Sequence, residues 1–413
     1  MPNPASGVFK QLAYKLETTY GTAPGQTTGQ ALRRVQSTLD LSKDTYSSNE
    51  IRTDLQMADF RHGVRSVTGK IGGELSCKTY ADFFASALKR DFTAGVSAAT
   101  VSLTIAGTGP TYTVTRAAGS YLTDGFKTGT VVRLSVGTLN AANISKNLFI
   151  VALTATVATV IVLNGSALVA EGPIAGCTVT TIGKRTFVPL TGHTDKSFSF
   201  EHWYSDLVQS ELFLGCKVSK IGLGLPPTGM ATIDLDVMGQ DMADTLTKRG
   251  SVAATSQYFT SPTANTTTGA MSAVNGVVRV GGVTVATLTG LSIDIDANYS
   301  GDPVVGSNIK PFMYAGRVLV TGQATAYFDS ITMRDAFVNE TEIELLAAFT
   351  SDNGAASDFF AISLPRIKLG GSTKDDGEKG LVQTIPFTAL LNTAGGTGIA
   401  TEATTIAIQD SAA

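Results

Sequence analysis

The chain has little with which to do chemistry. It carries only three histidines (His62, His193 and His202), three cysteines and one tryptophan in 413 residues. Cys77, Cys177 and Cys216 are too few and too scattered for a disulfide framework or a zinc site, and are expected to be reduced, small and buried. Charged residues make up 16% of the sequence and the net charge is −3, so composition offers no basic excess for gripping phosphates. No nucleophile–base pair, metal-ligand spacing or phosphate loop stands out. His202 lies beside Glu201, but on a strand the two point to opposite faces and no second histidine sits at ligand spacing. The opening residues do not read as a secretion signal. One charge-free run, Leu148 to Ala170, is long enough to span a bilayer. Its β-branched density and its Asn164-Gly165 turn favour paired strands instead.

What is present is a duplication. Residues 45–84 and 298–337 align without a gap at a shift of 253 positions. Tyr46-Ser47 falls on Tyr299-Ser300, Gly63 on Gly316, and Val67-Thr68-Gly69 on Val320-Thr321-Gly322. Asp82 and Phe84 fall on Asp335 and Phe337. Each copy reads as a loop, a strand of period two and a short amphipathic helix, followed by closing strands. In the first copy those are SFSFEHWY, VSKIGLGL and ATIDLDVMG, with a helix-like stretch from Ser205 to Leu214. In the second they are DFFAISL, RIKLGG and LVQTIPFTALL. The turns Pro226–Gly229 and Lys374–Gly380 occupy matching hairpin tips.

Residues 94–187 have no counterpart in the second copy. Their short strands and Gly-rich turns suggest an inserted β domain that projects outward. The expected organisation is a first domain over 1–93 and 188–250, the insertion over 94–187, and a second domain over 251–413. The stretches Gly21–Ile51 and Ser300–Pro311 are long and polar, and are expected to need something outside their domain to order them.

Alternation assigns the strand faces. Val67, Ile71 and Leu75 share one face, opposite Ser66, Thr68, Lys70 and Glu74. In the second copy Val320, Ala324 and Phe328 oppose Thr321, Gln323, Thr325 and Tyr327. Asp234 and Asp236 share one face of a closing strand, as Asp294 and Asp296 do on theirs. Such pairs suit a hard cation, a glycosidase or a solvated strand face. A solvated acidic face would also keep nucleic acid from sticking to a channel wall.

Four stretches carry a family resemblance: LAYKLETTYGTAP, NEIRTDLQMADFRHGVRSVTGKIGGELS, GRVLVTGQATAYFDSITMRDAFVNETEIEL, and ISLPRIKL with QTIPFTALL. The chain resembles the tail tube (major tail) proteins of long, non-contractile-tailed bacteriophages, over most of residues 8–96 and 187–395. The resemblance implies a mainly-β fold: two tail-tube β-sandwich domains, each with one short helix, and an inserted decoration domain. It implies a structural virion protein, made in the bacterial cytoplasm, whose rings stack into a conduit for double-stranded DNA. Partners would be further copies of the chain and the tape measure, tail terminator and tail tip proteins, with no membrane, cofactor, metal or catalytic residue. The lumen-facing candidates are Ser66, Thr68, Lys70, Glu74, Asp234, Asp236, Thr321, Gln323 and Thr325. Single-domain relatives of that family make hexameric rings, so two units per chain imply a homotrimer with pseudo-sixfold symmetry. A homohexamer follows instead if the two copies are the two sheets of one tube domain. Two rival classes remain: a β-rich adhesin or carbohydrate-binding protein, although Trp203, within an apolar strand, supplies no exposed aromatic platform, and a β-rich glycosidase, which requires a carboxylate pair in a pocket.

Overall fold

The computed structural model describes residues 4–265, 268–272, 274–285, 287–376, 378 and 380–413. The protein is mainly β, with two short α-helices among the described residues. The strands that build its frame are β1 (Lys10–Leu16), β2 (Asp40–Ser47), β3 (Phe60–Glu74), β4 (Phe198–Tyr204), β5 (Gln209–Leu225) and β6 (Thr232–Gly239) in the first copy. In the second copy they are β7 (Gly276–Val280), β8 (Leu288–Asp296), β9 (Leu319–Tyr327), β10 (Ile343–Thr350), β11 (Phe359–Leu369), β12 (Val382–Ala389) and β13 (Ala407–Asp410). The helices are α1 (Ala81–Ala87) and α2 (Thr332–Val338).

Register places eight of these strands side by side, all antiparallel, in the order β2-β3-β6-β5-β8-β9-β12-β11. The first four and the last four have the same internal order, so the sequence duplication is a duplication of four-stranded units. The joint between them is direct: Lys220 to Leu225 of β5 pair with Asp296 to Leu291 of β8. The units are also staggered. The repeat maps Gly72 onto Thr325, yet the paired row Gly72, Asp234, Gly222, Asp294 arrives at Thr321, four residues away. A four-residue slide per four strands, at ~3.3 Å rise and ~4.8 Å spacing, tilts the strands by about 35°, as in a closing barrel.

A second layer covers one face of this sheet. β5 begins in that layer, paired with β4, and ends in the eight-stranded sheet. β11 does the same from β10. The stretch Ser205–Leu214 is therefore a turn leading into strand and not a helix. From Gln209 it has β4 on one side, and Phe213 and Leu214 have Met242 and Asp241 on the other, which satisfies a backbone that a helix would have satisfied internally. The Gly21–Ile51 arm is also ordered from within: Gln36, Ser37 and β2 pair with β3. Ser300–Pro311 lies on the first copy, where Asn308 accepts from the Arg65 backbone N–H at 2.7 Å and Lys310 from Gln240 at 3.0 Å. The Lys374–Gly380 hairpin tip falls partly outside the described residues, at Gly377 and Lys379.

Val67, Ile71, Ile221, Ile233, Leu235, Ile293, Ile295 and Val320 are buried between the layers in one core that runs through both copies. Each such side chain contributes roughly 1.5–3 kcal/mol on burial. The two helices seat differently on it. α1 drives Phe83 into Tyr14, Phe198 and Phe200, with ring centroids 4.7, 5.1 and 5.8 Å apart, and sets Phe84 against Phe360 of the second copy. α2 buries no residue fully, and Phe337 and Val338 are exposed. The cause is a gap that the gapless alignment hides. α1 starts seven residues after Glu74 but α2 only five after Tyr327, and the turns ending the helices, at Lys89 and Glu340, lie 251 apart. The places of Phe83 and Phe84 are thus held by Arg334 and Asp335, which bond to each other. Asp82 and Phe84 do not correspond to Asp335 and Phe337 after all. Val280, Ile343 and Leu345 stand where the first copy has Tyr14, Phe198 and Phe200, and a hollow of about 240 Å³ remains under α2.

The insertion is a closed six-stranded barrel whose strands run from Ser97–Ala106 to Glu171–Thr181. The charge-free run supplies two paired strands of it, Leu148–Leu153 and Val157–Val162. Among the described residues no helix is long and apolar enough to cross a membrane. The barrel does not hang free. Val131, Phe149, Val151 and Ile161 pack against Leu346, Ala348, Phe359 and Ala361 in the second copy's outer layer. Tyr258 and Phe259, beyond the expected boundary at 250, pack on the first copy with Ala13, Leu212 and Leu214.

Candidate functional site

Side chains of cross-strand partners lie on the same face, so the registers can be used to collect the wet side of the eight-stranded sheet. Lys70 pairs with Asp236, Asp236 with Lys220, and Lys220 with Asp296. Asp234 and Asp294 flank Gly222, and Thr321 follows Asp294. Ser66, Thr68 and Glu74 alternate in phase with Lys70, and Gln323 and Thr325 in phase with Thr321. All nine sequence-assigned residues therefore share one face. Thr68, Lys70, Glu74, Asp234 and Gln323 are exposed, and Ser66, Asp236, Thr321 and Thr325 are half-buried. On the core side of the second copy Val320 and Ala324 are buried, while Phe328 lies past the strand end, half-buried under the Lys374 ammonium at 3.8 Å.

The face is acidic and smooth. Asp40, Glu74, Asp234, Asp236, Asp294 and Asp296 lie along it with Lys70 and Lys220, whose ammonium groups pair with Asp236 at 3.4 Å and Asp294 at 3.3 Å. Glycines interrupt the rows; a Cβ on Gly72 would come within 2.8 Å of the Asp234 carboxylate. Lys368, which the row through Thr321 and Thr388 brings to the same face, pairs with Glu340, so these three cations are all tied to carboxylates and form no cluster of free positive charge to hold a polyanion.

The two ends of the sheet are open. Among the described residues no strand pairs with the outer edge of β2, nor with the outer edge of Thr373–Lys374, which continues β11 beyond Gly370 and Gly371 along β12. Thr373 pairs with Thr384 as Gly222 pairs with Asp234, so residues 371–376 repeat residues 220–225. Likewise Ser37 and Asp40 face Ile71 and Thr68 as Leu291 and Asp294 face Ala324 and Thr321. One end thus repeats the β5 side of the internal joint and the other repeats the β8 side.

The sequence matches the family described as phage tail tube protein over residues 10–389. The chain belongs to the phage tail tube protein family. No curated protein matches it. A structural component of the phage tail is what that membership makes it, and the mainly-β fold agrees.

In this tail tube protein Glu201, His202 and the three cysteines are all buried. Glu201 is buried and accepts from the backbone N–H groups of Tyr258 and Phe259 and from Ser210. His202, buried on the other face, meets the Ser37 hydroxyl at 2.8 Å, and burial lowers its pKa. Burial raises the Cys77 and Cys216 thiols. Sequence reasoning missed Asp40, Lys220 and Ser292 on the wet face. Alternation was the signal available for each, but only register shows that these strands are neighbours.

Proposed function

We propose that the chain closes head to tail into rings around a lumen lined by the acidic face, and that stacked rings form the conduit through which double-stranded DNA leaves the virion. The observation that carries this is the match between the two open edges and the two sides of the internal β5–β8 joint. Residues 371–376 of one copy would pair with residues 37–42 of the next, Thr373 opposite Asp40, in the register of Gly222 opposite Asp294. At that seam Ser372 and Lys374 stand where the internal joint has Ile221 and Leu223, so the free edge is polar enough to resist uncontrolled strand pairing before assembly.

Three chains of eight strands make a barrel of 24. At a tilt of about 35° its backbone diameter is about 45 Å, which leaves room for one duplex inside the side chains. Six chains would give about 90 Å, far more than one duplex requires. The reading is therefore a homotrimeric ring with pseudo-sixfold symmetry, with the inserted barrel on the outer layer away from the lumen. The protein acts as a structural element of the virion tail and not as an enzyme. It is assembled in the host cytoplasm with the tape measure, terminator and tip proteins.

Lumen placement is tested by labelling. In assembled tubes, Gln323→Cys is expected to react with a small maleimide and to be protected from one carried on a large polymer. Equal reaction with both would place Gln323 on the outside and overturn the assignment.

A further inference from the structure

Tyr299 closes a small polar site where the second copy lies on the first. Its hydroxyl bonds Asp195 at 3.0 Å and contacts the Lys89 ammonium. The ammonium groups of Lys89 and Lys217 lie 3.9 and 5.0 Å from its ring centroid. Lys217 forms an ion pair with Asp195 and donates to the Met313 carbonyl at 3.0 Å. Tyr299, Ala297 and Met313 pack there with Tyr20 and Met238. The site thus consists of a lysine–acid pair on one unit and a tyrosine delivered by the loop of the next.

The second copy repeats the first half of this arrangement. Lys368 pairs with Thr388 as Lys217 pairs with Met238. Lys368 forms an ion pair with Glu340 at 3.4 Å. Glu340 lies three residues before β10 as Asp195 lies three before β4, and it ends α2 in the same left-handed turn in which Lys89 ends α1. What differs is the lid. The Lys368 and Glu340 side chains are 39% and 81% exposed, and among the described residues no tyrosine contact to them is present. A hollow of about 780 Å³, lined by Val318, Leu319, Leu390 and Leu391, runs from Lys89 and Asp195 of the first site to Thr388, the strand partner of Lys368.

The missing tyrosine exists elsewhere in the chain. Tyr46-Ser47 keeps the identity of Tyr299-Ser300, yet Tyr46 is 56% exposed and its hydroxyl meets no hydrogen-bond partner among the described residues. The hairpin it opens carries Ile51, Leu55 and Met57 at 99%, 95% and 68% exposure. A folded chain gains nothing alone from so apolar a tip.

We infer that Tyr46 of a second copy of this chain caps the Lys368–Glu340 pair, with its hairpin tip covering the hollow around Leu390 and Leu391. This rests on the ring reading and supplies a contact that strand pairing alone does not require. A hydroxyl joining a shielded ion pair is a charge-assisted hydrogen bond.

The test uses full-length chains. Tyr46→Cys and Glu340→Cys variants are co-assembled and treated with a short bis-maleimide. Cross-linked dimers are expected in the mixture and not in either variant alone. Tyr46→Phe is expected to raise the concentration needed for tube formation about tenfold, without changing the Tm of the free chain. Tyr299→Phe, by contrast, is expected to lower that Tm. A map of wild-type tubes with the Tyr46 hydroxyl away from Glu340 and Lys368 overturns the contact and leaves the ring reading intact. Wild-type chains that form no rings at all overturn both.

Discussion

Arg65 shows how a single residue joins the two copies, through its backbone to one and its side chain to the other. Its backbone N–H holds Asn308 of the second copy, while its guanidinium bonds Asp241 at 3.2 Å and Asp244 at 2.6 Å in the first. Lys248 completes the cluster by pairing with both carboxylates. The Arg65 hydrogen bond holds the Asp244 carboxyl down to about 2. A depressed carboxylate contributes stability that is present above its ordinary value near 3.8 and is lost as pH falls through the folded value. Denaturant midpoints are therefore expected to fall between about pH 4 and pH 2, and less steeply in Asp244→Asn. An equal slope in the two proteins would remove Asp244 from the cause. Of these residues the sequence revealed only charge, because the partners of Arg65 lie more than 170 positions away.

Strands were readable where one face is wet. The alternation of Ser66, Thr68, Lys70 and Glu74 against Val67, Ile71 and Leu75 is a local property, and the structure keeps it residue for residue. The start of β5 was not readable, because Leu212, Phe213 and Leu214 are all buried and give no period of two. The register of α2 was missed for a different reason. The identity of Asp335 with Asp82 and of Phe337 with Phe84 drew a gapless match across a two-residue deletion, and only the helix ends reveal it. The energetic consequence can be measured. Phe83→Ala is expected to cost about 3–5 kcal/mol in urea unfolding of the free chain, since it empties the centre of an aromatic cluster. Val338→Ala on α2 is expected to cost less than about 0.5 kcal/mol. Comparable losses would show that α2 is seated as firmly as α1.

For the molecule as a whole, the duplication was visible in the sequence but its meaning was not. Two similar stretches could have been two separate domains or two sheets of one. Pairing of β5 with β8 makes them consecutive sectors of a single sheet with a shared core, staggered by the amount a tilted barrel needs. The free edges then have the same form as the internal joint, and the proposed ring repeats between chains the pairing seen inside one. Electron cryomicroscopy of tubes assembled from the wild-type protein tests this most directly. Three chains per ring are expected, with residues 371–376 of each paired to residues 37–42 of the next and six similar sectors around the lumen. Six chains per ring, or a seam formed by any other pair of edges, would contradict it.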